Sequence, residues 1–187
     1  MKHKNILIFL FASFVLLSNL ASRQLEDKHS PKRFSFKVTD ISNDNSTSNE
    51  DKIFKIDIYS SNTKKLIQSI EYKIESVSYD FFLEIDTTYF EDVNFDVYSD
   101  LLLPSGQGAM GRNDFSAVYL FDSLQNKFQY SEAFSNICNL RVNQEDQTIE
   151  GFIFNGGDPN FTFTKYEVIN NSPVIKKIIN QLFDIIE

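Results

Sequence analysis

Cysteine, histidine, tryptophan, glycine and proline are scarce in this 187-residue chain, which has one, two, none, six and four of them respectively. Because Cys138 is alone, no disulfide can form within the chain, and we expect it to be a small buried hydrophobe. His3 and His29 both lie near the N-terminus, so the rest of the chain has no histidine to activate a serine or cysteine nucleophile. A zinc-type cluster lacks ligands for the same reason. We therefore predict that the protein is not an enzyme.

Glycoside hydrolysis is the one catalytic alternative that stays open, because it requires only two carboxylates at a suitable separation. Candidates by residue type alone are Asp80, Glu84, Asp86 and Glu91. Nothing in the sequence singles out a pair among them, and ordinary surface charge explains them equally well.

Positive charge is also in short supply, with 18 basic against 26 acidic side chains and a net charge of −8. Such an acidic surface repels nucleic acid and anionic membranes. We therefore expect partners that are cations or basic proteins, and no nucleic acid.

Residues 1–22 have the three-part layout of a secretory signal peptide. A basic start at residues 2–4 precedes an apolar run over residues 6–17, and small residues follow. This run is shorter than the roughly 20 residues that a transmembrane helix needs. We predict cleavage near Ala21 or Ser22, no membrane association afterwards, and a periplasmic or secreted location. Cleavage after Ser22 leaves 16 basic and 26 acidic side chains, a net charge of −10.

Beyond the signal peptide, the chain divides into a polar linker over residues 23–51 and a domain over residues 52–187. The linker contains one short alternating strand, Phe34–Val38, which is a second candidate for the start of the packed region. From Ile53 onwards, apolar and polar residues alternate in segments about ten residues apart, with polar turns between them, which predicts an antiparallel all-β domain. The predicted strands cover Ile53–Tyr59, Leu66–Ile74, Phe81–Asp86, Tyr89–Phe90, Asp100–Leu103, Phe115–Phe121, Lys127–Tyr130, Leu140–Val142, Thr148–Phe154 and Phe161–Val168.

The C-terminal segment is compatible with two structures. Its apolar residues from Val174 to Ile186 fall at helical spacing. The preceding Asn170–Pro173, however, resembles a hairpin turn. We favour a strand over Val174–Ile179, with any helix confined to the last turns.

The acidic segment Asp92–Asp100 has the oxygen spacing of a calcium-binding loop. Oxygen-bearing side chains occupy its positions one, three, five and nine, which are Asp92, Asn94, Asp96 and Asp100, and the carbonyl of Tyr98 is available at position seven. Calcium requires six to eight such oxygens at roughly 2.3–2.6 Å. The pattern is not that of an EF-hand, since Val97 replaces the glycine at position six and Leu103 the acid at position twelve. An acidic solvated turn is the alternative reading.

Three further motifs follow this segment. A Ser/Gly-rich stretch runs from Ser105 to Gly111, the strand Phe115–Phe121 leads through Asp122 to Asn126-Lys-Phe128, and a late strand pair ends at Thr164-Lys-Tyr166. With the acidic loop, these motifs resemble a family of small exported bacterial proteins. Its members include periplasmic inhibitors of invertebrate-type lysozyme and immunity proteins that neutralise lysozyme-like effectors delivered by secretion systems. The resemblance covers roughly the C-terminal half of the chain.

The resemblance implies a propeller-like or sandwich-like all-β fold with structural Ca²⁺. It also implies a projecting partner-binding loop that contains Ser105, Gly106, Gly108 and Arg112 and enters the cleft of a lysozyme. There Ser105 would bond the catalytic carboxylates while the glycines allow close approach, and calcium at the loop's base would hold it rigid. The chain departs from the family in placing Phe115 where an aromatic hydroxyl is expected. A plain flexible connection between two strands is the alternative for this loop.

Together, these features predict an exported calcium-binding protein that inhibits, or gives immunity against, a lysozyme-like peptidoglycan hydrolase. The alternative is a calcium-stabilised envelope structural or adhesion module without inhibitory activity.

Overall fold

A computed structural model describes residues 34–42, 52–74, 88–155 and 160–181. Every pairing between strands in this part is antiparallel, which confirms the predicted all-β class. The strands are β1 Phe34–Asp40, β2 Lys52–Ser60, β3 Leu66–Ile74, β4 Tyr89–Glu91, β5 Asp100–Gly108, β6 Asn113–Asp122, β7 Lys127–Tyr130, β8 Arg141–Asn143, β9 Thr148–Phe154, β10 Phe161–Ile169 and β11 Ser172–Gln181.

The strands form three sheets, which we call the first, central and third sheets in chain order. The first sheet has the order β1-β2-β3, the central sheet β4-β5-β6-β7, and the third sheet β11-β10-β9-β8. Neighbours in each sheet are successive in the chain. Within the described residues, short polar turns join β2 to β3, β6 to β7, β8 to β9 and β10 to β11. Each described strand has a counterpart among the strands predicted from the period-two pattern. The ends of the observed and predicted strands differ by a few residues.

The central sheet is buried on both faces. Leu101 and Leu103 of β5 face the first sheet and join a core with Ile56 of β2, whereas Leu102 faces the third sheet and packs with Ile149 of β9. All five of these side chains are fully buried. A strand covered on both sides needs apolar residues at every position, which explains the uninterrupted leucine run.

Side-chain amides connect the sheets. The side-chain amide of Gln68 in β3 donates a hydrogen bond to the carbonyl of Phe128 at 3.2 Å and accepts one from the N–H of Phe128 at 2.8 Å. This one side chain therefore pairs with both backbone groups of a β7 residue, as a residue of a neighbouring strand would. These bonds pair backbone groups at the edge of the central sheet.

Strand β1 belongs to the packed domain. The ring of Phe34 lies 4.9 Å from the rings of both Phe121 and Phe128, between the first and central sheets. The folded region therefore reaches N-terminal to residue 52, where the sequence placed the start of the domain.

Two short helical elements were not predicted. Helix α1, Glu132–Ser135, buries Phe134 completely in the core between the central and third sheets. A 3₁₀ turn at Ala109–Gly111 joins β5 to β6. Segments this short carry too few residues for a helical period to be detected.

The C-terminal segment is a strand where the structure describes it, which confirms the prediction over Val174–Ile179. Residues 182–187 lie outside the described residues, as do the predicted signal peptide, most of the linker and the predicted strand Phe81–Asp86. Within the part of the chain that the structure describes, no helix has the length and apolar character needed to cross a membrane.

Candidate functional site

The acidic loop, Asp92–Asp100, connects β4 to β5 and has an unusual backbone. Phe95 and Val97 adopt positive φ angles of 61° and 70°. The left-handed region favours glycine and is strained for a β-branched side chain. Val97 thus adopts the glycine-like conformation expected at position six of such a loop, although it is not a glycine.

Carboxylates of the acidic loop accept hydrogen bonds from its own backbone. Asp92 accepts the N–H groups of Asp96 at 3.1 Å and Val97 at 2.9 Å. Asp96 accepts the N–H of Tyr98 at 2.9 Å and the side-chain amide of Asn94 at 3.0 Å. These bonds hold the left-handed turn in place.

Asp100 closes the acidic loop from inside the protein. Its carboxylate is fully buried and accepts the backbone N–H of Phe121 at 2.8 Å and that of Val93 at 3.0 Å. Burial raises the pKa of Asp100 to about 7, with the charges of Asp96 and Asp92 adding to the effect and the two hydrogen bonds opposing it. A carboxyl group of this kind binds a proton or a cation readily near neutral pH.

The predicted calcium ligands fit the ion in chemistry more closely than in arrangement. Asp92, Asn94, Asp96, the Tyr98 carbonyl and Asp100 supply the hard oxygen donors that calcium prefers, and they belong to one short loop. Among the described residues, however, no three acidic, histidine or cysteine side chains converge closely enough to hold a metal ion. The calcium site therefore stays a prediction, and binding would require the carboxylates to move towards one another.

The predicted partner-binding loop is mostly strand. Ser105, Gly106 and Gly108 lie in β5, where Gly106 is opposite Phe115 of β6 and Ser105 occupies a bulge. The connection between the strands is confined to residues 109–112, which we call the hairpin tip. The expected projecting loop is thus the end of a β-hairpin, because pairing with β6 satisfies the backbone groups of residues 106–108.

The three glycines of this hairpin differ in whether the fold requires a glycine at their position. A Cβ atom added at Gly106 would meet no atom of the protein within 4 Å, and one at Gly108 would make ordinary contacts. Gly111 alone among the three has a positive φ, at 80°. The fold therefore needs glycine at 111, whereas the surface at Gly106 is open for an approaching partner.

Two asparagines, which we call the asparagine clamp, fasten the hairpin tip to the third sheet. The amide of Asn113 donates to the carbonyl of Phe154 at 3.0 Å and accepts its N–H at 2.8 Å. The amide of Asn139 donates to the carbonyls of Arg112 and Phe152, both at 2.9 Å, and accepts the N–H of Asp114 at 3.1 Å. The clamp therefore joins β6 to β9 at the point where the tip begins.

Arg112 ends the hairpin tip and lies on an aromatic ring. Its guanidinium carbon is 5.3 Å from the ring centroid of Phe154, and its Nε donates a long 3.4 Å bond to the carbonyl of Ala109. Stacking of this kind restricts the conformations of the arginine side chain.

The acidic loop and the hairpin tip lie at opposite ends of β5. The strand has nine residues, which at about 3.3 Å per residue separates its ends by roughly 25 Å. Calcium in the acidic loop would therefore lie far from the base of the tip, although the resemblance implied that it would lie there. The clamp, rather than an ion, is what holds the tip.

Of the carboxylates considered for hydrolysis, Asp80, Glu84 and Asp86 fall outside the described residues. Glu91 ends β4, and burial together with the neighbouring charge of Asp92 raises its pKa. A raised pKa suits a general acid, but Asp100, which lies opposite Glu91 in the β4–β5 pairing, is buried and accepts two backbone N–H groups. The prediction that the protein is not an enzyme stays a prediction.

The fold and these two loops define a three-sheet antiparallel β protein that carries an acidic loop at one end and a clamped hairpin at the other. A solved structure of a type IV secretion system related protein from Xanthomonas shares this fold, with a TM-score of 0.57 and 18% identity over 79% of this chain and 77% of that chain. No protein-family model matches the chain, and no curated protein matches it.

Sequence reasoning missed Asn113 and Asn139 as determinants of the site. Their partners are 13 to 41 residues away in the chain, so no local spacing connects them. The chain is rich in asparagine, and the two residues are not distinguishable from the others by composition.

Proposed function

We propose that the protein is an exported calcium-binding protein that inhibits, or confers immunity against, a lysozyme-like peptidoglycan hydrolase. The observation that carries the proposal is the β5–β6 hairpin, whose tip is held by the asparagine clamp. An element ordered before binding loses little entropy when it enters a cleft, which is what an inhibitor of an enzyme needs.

Two further observations support the proposal. The structurally similar Xanthomonas protein is related to a type IV secretion system, and immunity against delivered hydrolases is a role that fits such a setting. The acidic balance of the chain, net −8, would steer a basic lysozyme towards it. The first of these observations agrees with a periplasmic or secreted location.

We propose calcium as a structural ion in the acidic loop. Asp92, Asn94, Asp96, the carbonyl of Tyr98 and Asp100 would hold it. The ion would offset the repulsion among the three carboxylates and the burial of Asp100, and so would stabilise the fold. A rise in melting temperature with calcium that chelator reverses, and that magnesium does not reproduce, would support the site.

The inhibitory role is tested by measuring muramidase activity with wild type, Ser105→Ala and Gly106→Ala. The methyl group of Gly106→Ala meets nothing in the protein itself, so it reports only on the approach of a partner. Ser123→Ala, in the exposed β6–β7 turn, is the matched control for Ser105→Ala. We expect inhibition by wild type and Ser123→Ala and weakened inhibition by the other two variants. If wild type inhibits no class of lysozyme, the proposal is wrong.

The second candidate is an envelope structural or adhesion module that assembles through its edge. Within the described residues, β11 pairs only with β10 and forms an edge of the third sheet. Ile175 and Ile178 there are 57% and 53% exposed, and exposed edge strands favour association. Lys176 and Lys177 lie between them, and charges of this kind oppose pairing of one strand with its own copy. Sedimentation as a monomer at high concentration would count against this candidate.

A further inference from the structure

We propose that the outer face of the third sheet binds a carboxylate-bearing glycan of the peptidoglycan type. This inference goes beyond the proposed function, because neither the hairpin tip nor the acidic loop takes part in it. The outer face is the one turned away from Ile149, which packs in the core against the central sheet. Alternation along β9 places Glu150, Phe152 and Phe154 on this face.

The strand register arranges the apolar side chains of this face in two rows that cross the sheet. One row pairs Phe154 of β9 with Phe161 of β10, and their ring centroids lie 6.1 Å apart. The next row runs from Phe152 through Phe163 to Ile179 of β11, with the two rings 5.0 Å apart. All four rings are half-buried, and Ile179 is exposed. We call these two rows the aromatic rows.

The neighbouring row of the same face, which we call the basic row, crosses all four strands. Its members are, in order, Arg141, Glu150, Lys165 and Lys177. The Nζ atom of Lys165 lies 3.8 Å from the carboxylate of Glu150 and 2.9 Å from that of Asp146 in the β8–β9 turn. The row itself therefore carries three positive charges and one negative charge, on a chain whose net charge is −8.

Arg141 connects the basic row to the aromatic rows. Its guanidinium carbon lies 5.3 Å from the ring centroid of Phe152, although Glu150 is directly opposite it in the β8–β9 pairing. Among the described residues, Glu150 forms an ion pair with Lys165 and Arg141 forms none. Arg141 is also exposed. Stacking uses the face of its guanidinium, so the N–H edge is open to an anion.

A carboxylate-bearing glycan matches this order of rows. The C–H groups of a sugar are attracted to the negative face of an aromatic ring, and arginine recognises a carboxylate through two parallel N–H bonds. In peptidoglycan the sugars carry acidic peptides, so both features occur in one polymer. Its sugars can lie along the aromatic rows while its carboxylates follow the basic row, which spans roughly 14 Å over four strands. Repeated contacts along one polymer then add to the affinity.

Two other occupants fit this face less well. An extended peptide is held by the unpaired backbone groups of a sheet edge, and the middle of a sheet face does not offer such groups. A membrane-binding surface inserts its apolar side chains among the lipids, whereas the four rings of the aromatic rows are half-buried in the sheet surface.

The experiment is co-sedimentation of the protein with purified, protein-free peptidoglycan sacculi. Chitin is the uncharged polymer, and phosphatidylglycerol vesicles are the membrane probe. Arg141→Ala is compared with Lys127→Ala, because each variant removes one positive charge and Lys127 is exposed in the central sheet. Phe163→Leu is compared with Phe115→Leu, because each replaces a half-buried ring by an apolar side chain and Phe115 lies in β6.

We expect wild type to bind sacculi, and to bind chitin more weakly. Arg141→Ala should weaken binding to sacculi about tenfold, and Phe163→Leu should weaken binding to both polymers about threefold. Both control variants should bind as wild type does, and all four variants should melt close to the wild-type temperature.

Equal losses in Arg141→Ala and Lys127→Ala would show attraction by net charge alone and would overturn the site. Binding to vesicles but not to sacculi, pelleting of the protein without polymer, or no binding by wild type would overturn it as well. Lysozyme inhibition without binding to sacculi would contradict this inference and leave the proposed function standing. Binding to sacculi without lysozyme inhibition would support this inference while the proposed function fails.

Discussion

The acidic loop and the hairpin tip end the same strand, but they are held by different means. The acidic loop is held by carboxylates, which accept backbone N–H groups from the loop itself and, through Asp100, from β6. The hairpin tip is held by the neutral amides of Asn113 and Asn139, which reach from one sheet to another. The hydrogen bonds of one end therefore depend on carboxylates, which can titrate, whereas those of the other come from neutral amides.

Because of this difference, the residues that stabilise the fold at the acidic loop are not the residues that keep the hairpin tip ordered for binding. An ion in the acidic loop would stabilise β4, β5 and β6 at the ends farthest from the hairpin tip. Order at the tip depends on whether the third sheet stays attached to β6. Changes at the acidic loop should therefore affect the free energy of unfolding, whereas changes at the clamp should affect both the free energy of unfolding and binding, the latter through local order at the tip.

The largest effect is expected from removing the Asp100 carboxylate. Asp100→Ala leaves the buried N–H groups of Val93 and Phe121 without their acceptor, which should lower the free energy of unfolding by about 3 kcal/mol. Urea denaturation measures this value. Asp122→Ala, which removes a half-buried carboxylate at the last residue of β6, is the control and should cost less. Equal losses in the free energy of unfolding would show that the Asp100 carboxylate stabilises the protein no more than the Asp122 carboxylate does.

A second effect is a pH dependence that originates at the acidic-loop end of β5. The pKa of Asp100 is raised to about 7 in the folded protein, above the roughly 3.9 of an unfolded aspartate. The folded state therefore binds the proton more tightly, and stability should rise as pH falls from 7 to 5, by about 2 kcal/mol in calcium-free protein. The raised pKa values of Glu91 and Asp92 act in the same direction.

Denaturation at several pH values, with chelator and with calcium, checks this dependence. A bound cation would keep Asp100 ionised, so calcium should flatten the profile, and Asp100→Asn should remove it. The lowered pKa values of Asp40, Asp57 and Asp146 act below this pH window. Stability that falls between pH 7 and 5 in calcium-free protein would contradict the account of Asp100.

The clamp gives a third effect at the other end of β5. Asn139 has a φ of 49°, close to the 50° of Asn170 in the β10–β11 turn. Alanine at either position carries the same left-handed strain, but only Asn139→Ala also removes the bonds to Arg112, Asp114 and Phe152. We expect Asn139→Ala to cost about 1.5 kcal/mol more than Asn170→Ala, as measured by thermal denaturation. Similar losses would mean that the clamp contributes little.

The smallest effect concerns the strained turn of the acidic loop. Val97→Gly relieves the left-handed strain of a β-branched residue at φ 70° and should stabilise the protein by up to about 1 kcal/mol, since glycine's own entropy offsets part of the gain. Gln147→Gly, at φ 51° in an exposed turn, is the control and should gain less because glutamine is not β-branched. A loss of stability in Val97→Gly would show that packing of the valine side chain stabilises the protein by more than its backbone strain costs.

The sequence predicted the strands well and the connections between sheets poorly. Alternation along Leu66–Ile74 or Phe161–Val168 is local, so it identifies a strand without reference to its partners. Gln68, Asn113 and Asn139 act across 13 to 60 residues, and nothing near them in the chain indicates it. The glycine-containing stretch after Ser105 suggested a loop, since composition alone does not reveal that β6 pairs with it.

Asp100 shows the same limit within the site itself. Its spacing predicted a ligand, and the structure places it as a buried acceptor of two backbone N–H groups. Both roles require a carboxylate at this position, so residue type could not separate them. Only the burial of the side chain, which depends on β6 and the neighbouring sheet, distinguishes one from the other.

Amide hydrogen exchange over residues 109–114 tests the central claim most directly, with wild type in calcium, wild type in chelator, and Asn139→Ala compared under conditions where all three are folded. The account predicts that removing calcium leaves exchange at these residues unchanged, while Asn139→Ala increases it clearly. Faster exchange on chelation, with no change in the variant, would mean that an ion orders the tip and that the asparagines do not.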